Sequence, residues 1–179
     1  MNTPNKLTLM RVIMIVPFVF CMLSDLVPHR FLWAFLLFVT ASLTDMLDGY
    51  LARKNNLVTD FGILMDPLAD KLLVCSAMIC LIELDRLAAW IVIVIIAREF
   101  IISGFRLVAS DNGVVIAASY WGKFKTTFQM LMVIVLILDI QMPFFQILGT
   151  VLTYVALILT VVSLIDYIVK NKDVLKDQK

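Results

Sequence analysis

Residues 44–71 read TDMLDGYLARKNNLVTDFGILMDPLADK and place four carboxylates, Asp45, Asp48, Asp66 and Asp70, between segments apolar enough to sit in lipid. On membrane-insertion scales an ionised side chain at a helix centre costs about 2.5–3.5 kcal/mol, so four uncompensated acids would cost about 10 kcal/mol. Something of opposite charge has to accompany them. Asp45 and Asp48 are three apart and Asp66 and Asp70 four apart, so each pair shares one face of a helix. Gly49 and Ala52 continue the first face with almost no side chain, which leaves a small, acidic, concave surface. Pro67 suits a first helical turn, or kinks the helix if that helix begins as early as Asp60.

The flanks of this stretch set the fold class. Hydrophobic residues fill 62% of the 179 positions and mean hydropathy is +0.99, against an apolar share of about 45–50% in soluble domains. An all-α integral membrane protein is expected, as one domain over residues 1–179, with no linker or repeat dividing it. At about 20 apolar residues per crossing, the sequence divides into six transmembrane helices. They fall at 7–27, 31–51, 61–84, 88–108, 124–138 (longer if it starts near Tyr120) and 144–169. Residues 2–8, NTPNKLT, read as a short N-terminal interfacial segment or a frayed end. The basic, apolar start imitates a signal peptide, but no small-residue cleavage site follows and five more apolar segments do, so it reads as a retained span.

Cations near the span ends give orientation. One side collects Lys6, Arg11, Arg53, Lys54, Lys71, Arg106, Lys123, Lys125 and the tail lysines, while the other has Arg30 and Arg86. Both termini and the acidic stretch should face the cytoplasm, in a multi-pass protein of the cell membrane. Net charge is only +1, which gives nucleic-acid binding no electrostatic support. Cys21, Cys75 and Cys80 form no CxxC pair and read as packing residues, as do the dispersed methionines. His29 falls in an external turn and reads as solvated.

Two helices joined by a short link can bring the two acidic pairs together. Oxygen-only ligands suit Mg²⁺ or Mn²⁺, and two divalent cations supply the charge that four carboxylates lack. Such a two-metal centre binds a diphosphate and stabilises the leaving oxygen of an in-line displacement. The competing structural reading pairs Asp48 with Arg53 and leaves the other acids solvated at a loop; it does not account for four acids at helical spacing with Gly49 and Gly62 between them. A divalent-cation transporter would spread its acids over several depths, whereas here they cluster on one side.

Asp45, Asp48, Gly49, Ala52, Arg53, Gly62, Asp66 and Asp70 fit the signature D-x2-D-G-x2-A-R-x8-G-x3-D-x3-D without departure, and on these residues the chain resembles the CDP-alcohol phosphotransferase family. The resemblance implies six transmembrane helices, a homodimer, and transfer of a substituted phosphoryl group from a CDP-linked donor to an alcohol. It implies that Asp45, Asp48 and Asp66 are metal ligands, that Asp70 lies near the metals as catalytic base, and that Gly49 and Arg53 admit and hold the CDP moiety. The residues agree with this: Gly49 has no Cβ to block a nucleotide, and Arg53 offers a fork of donors to phosphate.

The acceptor is read from the basic residues elsewhere. Arg98 and Glu99 lie mid-span and, as helix neighbours, should not face each other, so each calls for another partner. Arg106 lies two turns on, and Lys123 and Lys125 open the fifth span, with Gln129 close behind. Beside an acidic site such cations suit an anionic acceptor; as positive-inside anchors they would instead snorkel to the interface. The segments PNKLTLMR, AREF and GKFKTTFQ look like those of the bacterial phosphatidylglycerophosphate synthase branch of the family. That likeness implies CDP-diacylglycerol as donor, drawn from the membrane lipids, and glycerol 3-phosphate as acceptor. The acceptor phosphate would be held by Arg98, Arg106, Lys123 and Lys125, with Asn5, Thr8 and Arg11 near the nucleotide or the mouth of the site. Inositol phosphate, serine or phosphatidylglycerol are the alternative acceptors.

Overall fold

The computed structural model describes residues 3–54, 60–111, 116 and 119–171, and the side chains of these apart from 3–8, 45–54, 60–67, 70 and 111. Among the described residues the chain is all helix, with no strand: α1 Thr3–Leu23, α2 Arg30–Lys54, α3 Asp60–Glu83, α4 Ala89–Asp111, α5 Tyr120–Leu138 and α6 Pro143–Lys170. These six fall on the six apolar runs of the sequence. Of them, α5 and α6 are long and apolar enough to cross a membrane by length and composition. Residues 3–8 of the expected N-terminal interfacial segment are continuous with the first helix: α1 starts at Thr3 and runs on to Leu23. Pro4 does not interrupt it, because a first-turn proline lacks only an N–H that has no helical acceptor anyway.

The helices form two compact units. The first is Met1–Leu87 with Leu136–Asp139. In it α1 packs against both α2 and α3, which also touch each other. Each helix buries one stripe at helical spacing: Arg11, Ile15, Phe18 and Met22 on α1; Ala34, Phe38 and Ala41 on α2; Ala69, Leu73 and Ala77 on α3. The alanines let the backbones approach, and the rings of Phe18 and Phe38 fill the space between α1 and α2 at 5.9 Å.

The turns of this unit are closed by charged residues. At the end of α3 Asp85 adopts φ 56°, with Arg86 N donating to Leu81 O (2.9 Å) and Asp85 N to Ile82 O (2.9 Å). This is a Schellman turn with aspartate in the place usually taken by glycine. Arg86 then reaches the end of α5, where Nη1 donates to the carbonyls of Leu136 (3.2 Å) and Ile137 (3.5 Å) and Nη2 to Asp139 Oδ2 (2.6 Å). These carbonyls have no partner within their own helix, and the cation opposes the negative end of the dipole. Burial pushes the Arg86 guanidinium below its ordinary range, while the Asp139 carboxylate pulls it back. The same guanidinium lies 4.0 Å over the ring of Phe31, and Arg30, paired with Asp25 at 2.5 Å, lies 4.6 Å from that ring. The two cations of this side are therefore each matched by a carboxylate, and His29 beside them is exposed.

The second unit is Ala88–Val135 with Ile140–Lys170 and the tail. Here α4 packs against α6. Extended Met142 caps α6 with Pro143 at its first position, and Asn171 closes it by donating from N and Nδ2 to Tyr167 O. The buried stripe of α6 is small or hydroxylated: Gly149, Thr153, Ala156, Thr160 and Ser163, then Tyr167. Along the chain the hydroxyls of Thr40, Ser42, Thr44, Thr126, Thr127, Thr150, Thr153 and Thr160 each donate to the carbonyl four residues earlier in their own helix.

Large apolar side chains face outward in both units, among them Val16, Phe20, Ile93, Phe100, Ile147 and Ile158. Soluble monomers rarely expose apolar surface on this scale. A small, hydroxylated packing face on α6 with large apolar side chains turned outward is the distribution of a protein solvated by lipid, and with the two spanning-length helices it points to a membrane protein.

Candidate active site

The acidic stretch occupies the second half of α2 and the first half of α3. The side chains of Asp45, Asp48, Gly49, Arg53, Asp66 and Asp70, and those of Asn5 and Thr8 on α1, lie outside the described residues. Their helical register is nevertheless fixed by the backbone. Counted in steps of three and four, Ala34, Phe38 and Ala41 lead to positions 45 and 48, and Ala77 and Leu73 lead back to 70 and 66. By register the four acidic positions thus continue the stripes that α2 and α3 bury against α1, where Arg11 is itself only 1% exposed. Because α3 begins at Asp60, Pro67 falls inside the helix rather than in its first turn, and the carbonyl of Ile63 loses its regular donor. No cluster of three or more His, Cys, Asp or Glu suited to a metal occurs among the described residues. The donor set of the four aspartates is all carboxylate oxygen on two packed helices, which fits hard divalent cations such as Mg²⁺ or Mn²⁺.

Of the basic residues of the second unit, Arg98, Arg106, Lys123, Lys125 and Lys170 are described with their side chains. Arg98, on α4, is 8% exposed, and its guanidinium is held from three directions. Nε donates to Ser163 Oγ on α6 (3.1 Å), and Nη1 donates to Glu99 Oε1 (3.2 Å). Nη2 lies against Gly122 of α5, where an added Cβ would come within 3.3 Å of it. Ser163 Oγ in turn donates to Thr160 O at 3.0 Å, so its lone pairs are left to accept from Arg98. Lys125 is 1% exposed and its ammonium pairs with the same Glu99 oxygen. Ser103 Oγ donates to the Glu99 carbonyl at 2.6 Å.

Gly122 sits where it does because Ser119 caps α5, its Oγ accepting from Gly122 N at 3.1 Å. With no side chain there, the guanidinium can rest against the first turn of α5. The half-buried Glu99 carboxylate is therefore shared by two buried cations, Arg98 and Lys125. Gln129, buried one turn after Lys125, extends the polar stripe of α5.

The four basic residues singled out in the sequence separate into two sets. Arg98 and Lys125 meet at Glu99 inside the unit, whereas Arg106 and Lys123 are exposed. The expectation that Arg98 and Glu99 do not face each other is corrected: the arginine side chain is long enough to curl back to its neighbour while Nε reaches α6. The expectation that each has a further partner holds, in Ser163 and Lys125. The sequence reading passed over Ser163, Tyr167 and the role of Gly122. Polar residues recurring three and four apart in the apolar span of α6 were the available signal.

The model of the CDP-alcohol phosphatidyltransferase family matches residues 1–162. A Bacillus subtilis (strain 168) protein called CDP-diacylglycerol–glycerol-3-phosphate 3-phosphatidyltransferase is 44% identical, over 98% of this chain and 97% of that protein. A Haemophilus influenzae protein of the same name is 39% identical, over 98% and 96% of the two chains. A Mycobacterium tuberculosis (strain ATCC 25618 / H37Rv) protein called probable phosphatidylglycerophosphate synthase is 35% identical, over 94% of this chain and 81% of its own.

Proposed function

The chain belongs to the CDP-alcohol phosphatidyltransferase family, and on that premise we propose that it transfers a phosphatidyl group from CDP-diacylglycerol to sn-glycerol 3-phosphate, giving phosphatidylglycerophosphate and CMP. The observation that carries this reading is the eight-position acidic signature, unbroken in a chain whose relatives of that name match it end to end.

Asp45, Asp48, Asp66 and Asp70 would hold two divalent cations, on which members of the family generally depend. When bound, the cations supply positive charge that offsets the donor diphosphate and the charge developing on the leaving CMP. Gly49 admits the cytidine nucleotide, with Asn5 and Thr8 beside it, and Arg53 holds the phosphate. The acceptor hydroxyl oxygen forms a bond to the lipid-linked phosphorus, the bond from that phosphorus to CMP breaks, and Asp70 takes the hydroxyl proton. Arg98, Arg106 and Lys123 bind the acceptor phosphate, and Lys125 adds a buried positive charge beside them through Glu99. The reading extends to a homodimer and to six crossings of the cell membrane, with both termini and the acidic motif on the cytoplasmic side. Support for that orientation comes from Arg30 and Arg86, the cations of the other side, each being matched by a carboxylate.

The experiment is CMP release by the purified full chain with CDP-diacylglycerol and each acceptor in turn. Strong release is expected with glycerol 3-phosphate and little with inositol phosphate, serine or phosphatidylglycerol; the reverse would move the protein to another branch of the family. Asp70→Asn should lower turnover by about 10²–10⁴-fold, the usual contribution of a positioned base, with membrane insertion unchanged.

A further inference from the structure

Tyr167 of α6 is 2% exposed, and its hydroxyl has no hydrogen-bond partner among the described residues. Tyrosine hydroxyls buried to this degree usually find a partner, because the water they leave behind offered one. The ring itself is well accommodated, edge-on to Phe105 of α4 at 6.1 Å between centroids. One turn earlier on the same face, Ser163 accepts from Arg98 Nε, and Tyr167 lies within electrostatic range of the Arg98 guanidinium. The neighbouring Asp166 pairs with Lys170 through Oδ1 at 2.7 Å, while its Oδ2 is buried without a hydrogen-bond partner among the described residues. A neutral donor without an acceptor among the described residues therefore stands beside the Arg98 guanidinium, which meets the Lys125 ammonium at Glu99. Both features are answered by the same ligand chemistry, an anion with oxygen acceptors.

We propose that Tyr167 is a binding residue for the acceptor, its hydroxyl donating to a phosphate oxygen of the small phosphorylated polyol whose charge Arg98 holds. The inference rests on the phosphatidyl-transfer reading and adds to it a neutral donor, which recognises phosphate oxygens by hydrogen bonding as well as by charge. Phosphate oxygens also occur in the donor diphosphate, so the two substrates have to be varied separately.

The test uses the purified full chain in detergent micelles, with CMP release measured while glycerol 3-phosphate and CDP-diacylglycerol are varied in turn. Tyr167→Phe removes one oxygen and keeps the edge-on packing with Phe105. The expected result is a rise of about 10- to 100-fold in KM for glycerol 3-phosphate, the loss of one hydrogen bond to a charged group. Turnover number and the KM for CDP-diacylglycerol should stay within about twofold of the parent. Without substrate the unfolding midpoint should be unchanged or higher, and the upward shift on adding glycerol 3-phosphate should shrink. Tyr167→Leu should show the same split, and it decides the matter if the phenylalanine variant does not fold. An unchanged acceptor KM, a shift in the donor KM alone, or an equal loss in all parameters overturns the proposal. Parent enzyme that turns over glycerol 3-phosphate beside an unaffected variant overturns only the role of Tyr167; parent enzyme inactive with that acceptor overturns the underlying reading as well.

Discussion

Replacing Lys125 by methionine removes one cation from the Glu99 cluster while keeping most of the side-chain volume. The side chains of the pair are 1% and 18% exposed, and breaking a buried ion pair by deleting one partner costs about 3–5 kcal/mol. Glu99 keeps the Arg98 guanidinium at 3.2 Å, so the lower end applies, about 3 kcal/mol. For a chain of this size each kcal/mol moves the unfolding midpoint by about 2–4 °C, giving a drop of about 6–12 °C. Thermal unfolding in detergent, followed by tryptophan fluorescence, measures it. Lys170→Ala is the control: its partner is Asp166 one turn away and its side chain is 62% exposed, so the cost should stay under about 0.5 kcal/mol. Combining Glu99→Gln with Lys125→Met still leaves the buried Arg98 without its carboxylate, so stability should not return, but the double variant should lose less than the sum of the two single losses because both partners of one pair are removed. A lysine variant no less stable than the Lys170 control, or a double variant whose losses simply add, would refute the reasoning.

Gly122→Ala places a methyl group 3.3 Å from Arg98 Nη2 and 3.4 Å from Ser119 Oγ. It should leave stability unchanged or higher, since alanine gains up to about 1 kcal/mol of helix propensity. The acceptor KM should meanwhile rise about threefold, equivalent to roughly 0.7 kcal/mol, as steady-state kinetics with each substrate varied would show. Arg86→Lys keeps the charge but loses the fork that serves Leu136, Ile137 and Asp139 and the stacking on Phe31. About 2 kcal/mol of stability should go with it, a midpoint lower by about 4–8 °C in the same unfolding assay. Chelation of divalent cations should abolish CMP release, and Mg²⁺ or Mn²⁺ should restore it; activity that survives exhaustive chelation would count against the carboxylate cluster as a metal centre.

The helices were legible because each is a long apolar run, and runs bounded by Pro28, Asp85–Arg86 and Pro143 leave little freedom over where the turns fall. The acidic signature was legible because its chemistry lies within a single stretch of sequence. The Glu99 cluster was only half legible. Arg98 and Lys125 announced themselves as cations in apolar surroundings, but their meeting at one carboxylate depends on how α4, α5 and α6 pack, which no local pattern records. The roles of Ser163 and Gly122 were not legible for the same reason: they are a lone pair and a missing Cβ offered to a side chain from another helix. The N-terminal segment was legible as polar, whereas its continuity with the first helix is a property of the backbone that its composition does not record.

The hydroxyls that fold back onto their own helices have a consequence for how the chain is made. A span whose threonines and serines are already satisfied can enter lipid alone, with no debt to a neighbour. The helix bearing Arg98 and Glu99, and the one bearing Lys125, are less independent: Glu99 pairs with Arg98 on its own helix, but Lys125 finds its carboxylate, and Arg98 Nε its hydroxyl, across a helix boundary. On the proposed six-crossing reading, insertion of the fourth and fifth helices should therefore be coupled, the second arriving before the first is released to the bilayer.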